Sequence, residues 1–324
     1  QSGAFILGPN VKAFEAEIAS YVGVKHAVSV ANGTDALVLS LRALGIGPGD
    51  EVITSPYTFY ATSEAVNVVG ATPVFADILP DDYTLDPASV KSLVGDKTKA
   101  IIPVHIFGCP ANMDVIKSIA DEHNLAVVED CAQAFGASVG GAKVGGLGDA
   151  GCFSFYPTKV LGCYGDGGII TTDRDDVAEH LLRLRNHGAT APFMHSEVGY
   201  NSRLDEIQAA VLRIKLRTID AGRLAGKVLA LPDQPDWGGH AYNLYTVRLK
   251  DRDRCRQRLG DNQIGSSLCY PKPLHLQEVY SELGYQPGSL PVAEHASTEA
   301  LSLPIYPGMP ESHIDRVCEV LLQS

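Results

Sequence analysis

Positive charge is scarce in this chain: 26 Lys and Arg stand against 38 Asp and Glu, for a net charge of -12 over 324 residues. A surface of that sign repels phosphate backbones and anionic headgroups, which argues against general nucleic-acid or membrane-surface binding. An anionic ligand would need a local site built from backbone donors. Long apolar runs are missing as well; none reaches the roughly 18 residues that suggest a membrane span, and no signal peptide is visible. Cysteine is limited to seven residues, an odd number without metal-site spacing. Reduced thiols in a cytoplasmic protein are therefore expected, with no metal. Cys131, Cys152 and Cys163 read as small buried residues. The abrupt opening at Gln1, not Met, leads to the expectation of residues before it.

What is present is ordinary for an enzyme, with 45% hydrophobic and 20% charged residues. From residue 26 to 173, apolar runs alternate with helical patterns, which signals an α/β fold. Strands are predicted at 26–32, 50–55, 72–77, 99–107, 125–130, 150–156 and 168–173, with helices near 34–44, 60–69, 87–94 and 112–124. That makes one seven-stranded, mostly parallel sheet, in which ligands gather at the carboxyl ends of the strands. Residues 203–219 predict an amphipathic helix with Leu204, Ile207, Val211 and Ile214 along its apolar face. The pattern changes at about 222. A Gly/Pro-rich passage (222–240) leads to a strand near 243–249 and helices near 252–259, 275–283, 291–300 and 311–322. A large domain over 1–221 and a smaller α+β domain over 222–324 are expected.

The chemistry gathers around Gly151–Gly168. Pro157 ends an apolar run, and Lys159 follows on a short turn before a glycine-rich loop. Desolvation penalises a charged amine, so a lysine among apolar groups becomes available as the neutral nucleophile of carbonyl chemistry. Ser154 lies five positions earlier, while Gly165, Gly167 and Gly168 permit close backbone approach. The arrangement resembles the cofactor lysine of a pyridoxal-phosphate enzyme. Thr34 and Asp35, straight after a strand, suit a helix N-terminus that either is simply capped or receives a phosphate. Tyr57, Phe59 and Tyr60 either offer a ring for stacking or are core and interface residues. Asp130 ends an apolar strand, where a carboxylate needs a partner. Either it caps a helix, or it holds a pyridinium nitrogen, with Gln133 in reach of the ring hydroxyl. Gly146-Leu-Gly148-Asp-Ala-Gly151 matches the dinucleotide-binding glycine pattern but precedes a strand instead of following one, so that reading is rejected.

Taken in order, Phe5-Ile-Leu-Gly-Pro9, Asn32-Gly-Thr-Asp-Ala-Leu37, Glu51-Val-Ile-Thr54, Pro103-Val-His105, Glu129-Asp130, Phe153-Ser-Phe-Tyr-Pro-Thr-Lys159, Gly165-Asp-Gly-Gly168, Asn186-His-Gly188, Gly199-Tyr-Asn-Ser-Arg-Leu204 and Pro271-Lys-Pro-Leu-His275 resemble the DegT/DnrJ/EryC1/StrS sugar aminotransferases. These are fold-type I pyridoxal-phosphate enzymes. The resemblance runs almost end to end. It implies that Lys159 holds the cofactor as a Schiff base and shuttles a proton, and that Asp130 binds the pyridine nitrogen. Gln133 would approach the phenolic oxygen, and Phe59 would stack on the ring. Gly33, Thr34, Ser154 and, across a homodimer interface, Asn201 of the partner would hold the phosphate. His187, Tyr270 and His275 are candidate substrate contacts. The implied substrates are a nucleotide-linked keto-sugar, a 3-keto-6-deoxyhexose by the form of the 5–9 and 271–275 motifs, and L-glutamate as donor. The cofactor would pass through pyridoxamine phosphate. Amination of a 4-keto-sugar or a cyclitol ketone, and a non-catalytic sensor, are the alternatives. Lysine rather than histidine at 159 favours transamination over dehydration. By the same resemblance an N-terminal helix is expected to be missing, and 222–240 looks short.

Overall fold

Each apolar run read between residues 26 and 173 contains a strand, although the run 99–107 is a strand only as far as Ile102 and ends in a 3-10 turn at Ile106–Gly108. The computed structural model describes residues 3–217, 219, 235–306 and 308–322. Strands β1 (His26–Val30), β2 (Glu51–Thr54), β3 (Thr72–Phe75), β4 (Thr98–Ile102), β5 (Ala126–Asp130), β6 (Ala150–Ser154) and β7 (Gly168–Thr172) form one sheet in the order β1-β7-β6-β5-β4-β2-β3. Only β7 runs against its neighbours; the other strands share one direction. Consequently Val30, Thr54, Asp130 and Ser154 end at the same edge, and β7 begins there. Helices α2 (Gly33–Ala43), α3 (Ala61–Val68), α4 (Pro87–Leu93) and α5 (Met113–His123) lie near where periodicity predicted them. Among the described residues, no helix is long and apolar enough to cross a membrane.

Two helices were not foreseen. α1 (Pro9–Val22) buries Val11, Phe14, Ile18 and Val22 on one face. No local side chain caps its start. Instead the Glu206 carboxylate, distant in sequence, accepts from the N–H groups of Asn10 at 3.1 Å and Val11 at 2.9 Å. α6 (Asp175–Leu184) buries Val177, Leu181 and Leu184.

The long helix is shorter than predicted, α7 (Glu206–Leu216), and its inward face differs. Ala209 and Leu212 are buried, whereas Ile207 is 76% and Ile214 66% exposed. The periodicity was real, but small residues face α1, and Arg213 joins the two helices through Glu17. Beyond it, β8 (Tyr245–Arg248) pairs antiparallel with an unforeseen strand, β9 (Ala300–Leu303). Helices α8 (Arg252–Asp261), α9 (Pro291–Glu299) and α10 (Glu311–Leu322) match the prediction, but 275–283 is two short 3-10 turns, Leu274–Leu276 and Glu278–Leu283. The expected domain boundary at 221/222, and the passage after it as far as 234, lie outside the described residues.

The C-terminal part meets the sheet through a shared aromatic core. Tyr57, Phe75, Tyr83 and Phe107 cluster with Leu274, Tyr280 and Leu290. Edge-to-face pairs join them, Phe75 with Tyr280 at 5.1 Å and Tyr57 with Tyr270 at 5.8 Å. Such pairs contribute about 0.5–1.5 kcal/mol each beyond burial. The Tyr57 hydroxyl donates to the Cys269 carbonyl at 2.5 Å, so the segment before Pro271 is fixed over the strand ends.

The rejected glycine motif has a different task. Glu129 is fully buried, and its carboxylate accepts from the N–H groups of Gly145, Leu147 and Gly148, each at 2.8 Å. His105 adds a contact at 3.0 Å from Nε2. Because His105 Nδ1 accepts from Ala111 N–H at 3.0 Å, Nε2 carries the proton and donates. His105, Glu129 and Cys131 lie close enough to hold a metal, but these hydrogen bonds already occupy the imidazole and the carboxylate. The loop thus satisfies an internal anion, which unpaired would cost several kcal/mol.

Candidate functional site

The turn from β1 into α2 supplies backbone donors. Asn32 caps the helix, its side-chain oxygen accepting from Asp35 N–H at 2.8 Å. Asp35 itself is occupied, since Ser202 donates to its carboxylate at 2.5 Å. Among the described residues, nothing accepts from the N–H of Gly33 or Thr34. These first-turn donors sit at the positive end of the helix dipole, where an anion is favoured. The end of β6 closes the same space: a Cβ on Gly33 would lie 2.7 Å from Ser154 Cβ, and one on Gly168 only 2.3 Å from the Asn32 carbonyl. Glycine is therefore required where the two chain segments meet. Ser154 Oγ accepts from Tyr156 N–H at 3.3 Å, which leaves its hydroxyl proton free to point into the cradle.

On the strand next to β6, Asp130 is buried at the end of β5. Its Oδ2 accepts from Thr62 Oγ1 at 2.7 Å and its Oδ1 from Ala132 N–H at 3.1 Å. Thr62 in turn contacts Thr58 Oγ1 at 3.0 Å. Phe59, between these threonines in sequence, is 61% exposed. Tyr57 belongs to the core, and Tyr60 is half-buried against Tyr280. Gln133 uses both ends of its amide, accepting from Phe107 N–H and donating to the Tyr270 hydroxyl, each at 2.7 Å. Burial pushes the Tyr270 phenol well above its ordinary range.

Lys159 completes the group on the loop after β6. Burial lowers its amine below the ordinary lysine value, with Asp130 and Cys269 opposing. The loop follows β6, and β6 lies next to β5, with Cys152 opposite Asp130 in the ladder. Cys131, Cys152 and Cys163 are buried, as read from sequence.

The remaining candidates are dispersed. Asn201 is exposed and pairs by backbone with Asn186. His187 is exposed with a left-handed backbone, φ 60°, held by Tyr200 O and by His195 Nδ1 on its carbonyl. His275 is 1% exposed, with Nε2 3.1 Å from Glu294, so it meets no open space. Sequence reasoning missed Thr62, Thr58 and Ser202. Thr62 lies in the first turn of α3 and Thr58 in the loop before it, so no helical spacing announced the pair; the Ser202–Asp35 pairing, formed across the fold, left no signal either.

The residues present fit pyridoxal phosphate. Free N–H donors and a hydroxyl meet its phosphate chemistry, a buried carboxylate its pyridinium, and a partly desolvated amine its aldehyde. Comparison with known proteins agrees. The family model described as the DegT/DnrJ/EryC1/StrS aminotransferase family matches residues 1–322. A Geobacillus stearothermophilus protein named "Pleiotropic regulatory protein" is 44% identical over 339 residues, covering 100% of this chain and 91% of that protein. An Acidithiobacillus ferrooxidans protein named as a UDP-N-acetyl-3-dehydro-alpha-D-glucosamine 3-aminotransferase is 45% identical over 331 residues, covering 98% and 89%. The crystal structure of Streptomyces venezuelae DesV, described as a complex with a ketimine intermediate, superposes with a TM-score of 0.93 at 42% identity, covering 99% of this chain and 90% of that one. Further solved neighbours are in PLP and PMP forms. The chain belongs to the DegT/DnrJ/EryC1/StrS family and is a pyridoxal-phosphate-dependent aminotransferase.

Proposed function

We propose that the chain transfers an amino group from L-glutamate to C-3 of a dTDP- or UDP-linked keto-sugar, a 3-keto-6-deoxyhexose. The observation that carries the reading is the buried Asp130 at the end of β5, paired in register with the strand whose following loop carries Lys159. When bound, the cofactor supplies an electron sink for the carbon gaining or losing nitrogen. Lys159 anchors it and then moves a proton at its amine. Asp130 keeps a negative charge against the ring nitrogen, and Thr62 fixes that carboxylate. Gly33, Thr34 and Ser154 would hold the phosphate and Phe59 would stack on the ring, while Gln133, whose amide already bonds Phe107 N–H and the Tyr270 hydroxyl, would have one N–H left for the ring oxygen. Of the sugar candidates, His187 is accessible and Tyr270 lies at the Gln133 amide. His275 serves the sugar at most by fixing the 271–276 segment.

Support for C-3 comes from the 3-aminotransferase relative and from the form of the 5–9 and 271–275 motifs. Matched 3-keto and 4-keto dTDP-sugars, supplied with glutamate, test it. The 3-keto compound is expected to react faster, with the new amine located at C-3 by NMR. Faster conversion of the 4-keto sugar would overturn the assignment and leave the aminotransferase standing. The regulatory name of one relative favours a sensor reading; a complete lysine, carboxylate and phosphate cradle counts against it.

The working unit is an isologous homodimer in which Asn201 reaches the partner's phosphate. Exposed apolar side chains in the single chain support it, among them Ile207, Ile214 and Phe193, the last 97% exposed. Cofactor binding and dimerisation are then linked. Removing the cofactor is expected to raise the monomer fraction in sedimentation velocity. A fully active monomer at assay concentration would refute the shared site.

A further inference from the structure

The loop that carries Lys159 is closed on itself at its base. Cys163 donates its N–H to the Phe155 carbonyl at 2.8 Å, and its thiol lies 3.0 Å from the same oxygen. A Cβ on Gly162 would stand 2.6 Å from the Pro157 carbonyl, so the tight turn has room only for glycine there. Two side chains of α7 hold the far end. The Gln208 amide takes Tyr164 N–H on Oε1 at 2.9 Å and returns Nε2–H to the Tyr164 carbonyl at 3.1 Å. Lys215 donates to the Gly162 carbonyl at 2.6 Å and lies 4.8 Å from the Tyr164 ring centroid. Leu161 and Cys163 are buried in the core, but Tyr164 itself is exposed, so its backbone is held by the α7 contacts and not by its own packing. α7 begins at Glu206, whose carboxylate accepts from the N–H groups at the start of α1.

We propose that Gln208 is a positioning residue for Lys159, its amide gripping both polar groups of one backbone unit so that the lysine turn keeps a single geometry. Lys215 is the second pin. The inference rests on Lys159 being the residue that carries the cofactor. Gln208→Leu removes both hydrogen bonds at similar size on a helix that tolerates leucine. A misplacement of about 1 Å can cost about 10²-fold in rate.

The test compares holoenzymes of the wild type, Gln208→Leu, Gln208→Glu and Arg213→Leu. Turnover with glutamate, the visible circular dichroism per unit of cofactor absorbance, and Tm are measured on each. Gln208→Leu is expected to lower kcat about tenfold or more with KM for glutamate within about twofold, and to lower the dichroism, which reports how firmly the chromophore is oriented. Gln208→Glu keeps the acceptor for Tyr164 N–H and loses the donor, and should fall between wild type and Gln208→Leu. It decides the matter should Gln208→Leu not fold. Arg213→Leu breaks the contacts with Glu17 and should lower Tm while leaving the other readouts in place. Wild-type kcat and dichroism in the Gln208 variants would overturn the proposal, as would an equal change in Arg213→Leu, which would mean general loosening of α7. If the wild type has no visible band that Lys159→Ala abolishes, the reading of Lys159 fails instead.

Discussion

Lys159→Ala is expected to abolish both turnover and the visible absorbance of bound cofactor. The side chain has two tasks, covalent anchoring and proton transfer, and alanine does neither. Proton transfer by a placed group alone contributes about 10² to 10⁴-fold, before the covalent contribution is counted. The phosphate cradle does not depend on the lysine side chain, since Gly33, Thr34 and Ser154 owe their placement to the β1–α2 turn and the end of β6. The variant should therefore still fold with a wild-type Tm and bind pyridoxamine phosphate, which needs no lysine. Near-normal activity in the purified variant would remove Lys159 from the mechanism.

Asp130→Asn should retain cofactor and lose most catalysis, about 10²-fold or more, the scale of deleting one fixed electrostatic partner in a water-poor site. The substitution is a test of charge. Asparagine has the same shape, and its amide oxygen can still accept from Thr62 Oγ1 or Ala132 N–H, the contacts that seat the native carboxylate. What it cannot do is hold a positive ring nitrogen in a pocket walled by buried side chains. Steady-state kcat with glutamate, read beside Tm, separates the outcomes: low kcat at unchanged Tm supports the role, and unchanged kcat leaves Asp130 a structural residue.

The parallel sheet was legible because its strands are short apolar runs, bounded by helices with clear periodicity, and that pattern depends on local sequence alone. The carboxyl edge follows from the topology, which is why Asp130, Ser154 and Gly33 could be placed together beforehand. What escaped depends on contacts far apart in sequence. α1 carries an apolar repeat at Val11, Phe14, Ile18 and Val22, but its capping carboxylate comes from Glu206. On α7 the apolar stripe read from the sequence is split in the fold, with Leu204 buried and Ile207 and Ile214 exposed, while Ala209 and Leu212 are the buried residues of the helix. Sequence spacing cannot tell a stripe that packs inward from one that awaits another surface. The glycine motif at 146–151 was rightly refused as a dinucleotide site, yet its role as a nest for Glu129 needed coordinates. Tyr270 and Gln133, far apart in the chain, share a hydrogen bond that no motif announces.

The central claim, that Lys159 and Asp130 serve an amino-transfer reaction at a bound pyridoxal phosphate, is tested most directly by a half-reaction. Purified wild-type protein, loaded with cofactor and given L-glutamate without any sugar, is followed by absorbance while 2-oxoglutarate is quantified. Loss of the visible band, growth of the near-ultraviolet band of pyridoxamine phosphate and about one equivalent of 2-oxoglutarate per site are the predicted result. A visible band that persists unchanged with no keto acid released would contradict the account.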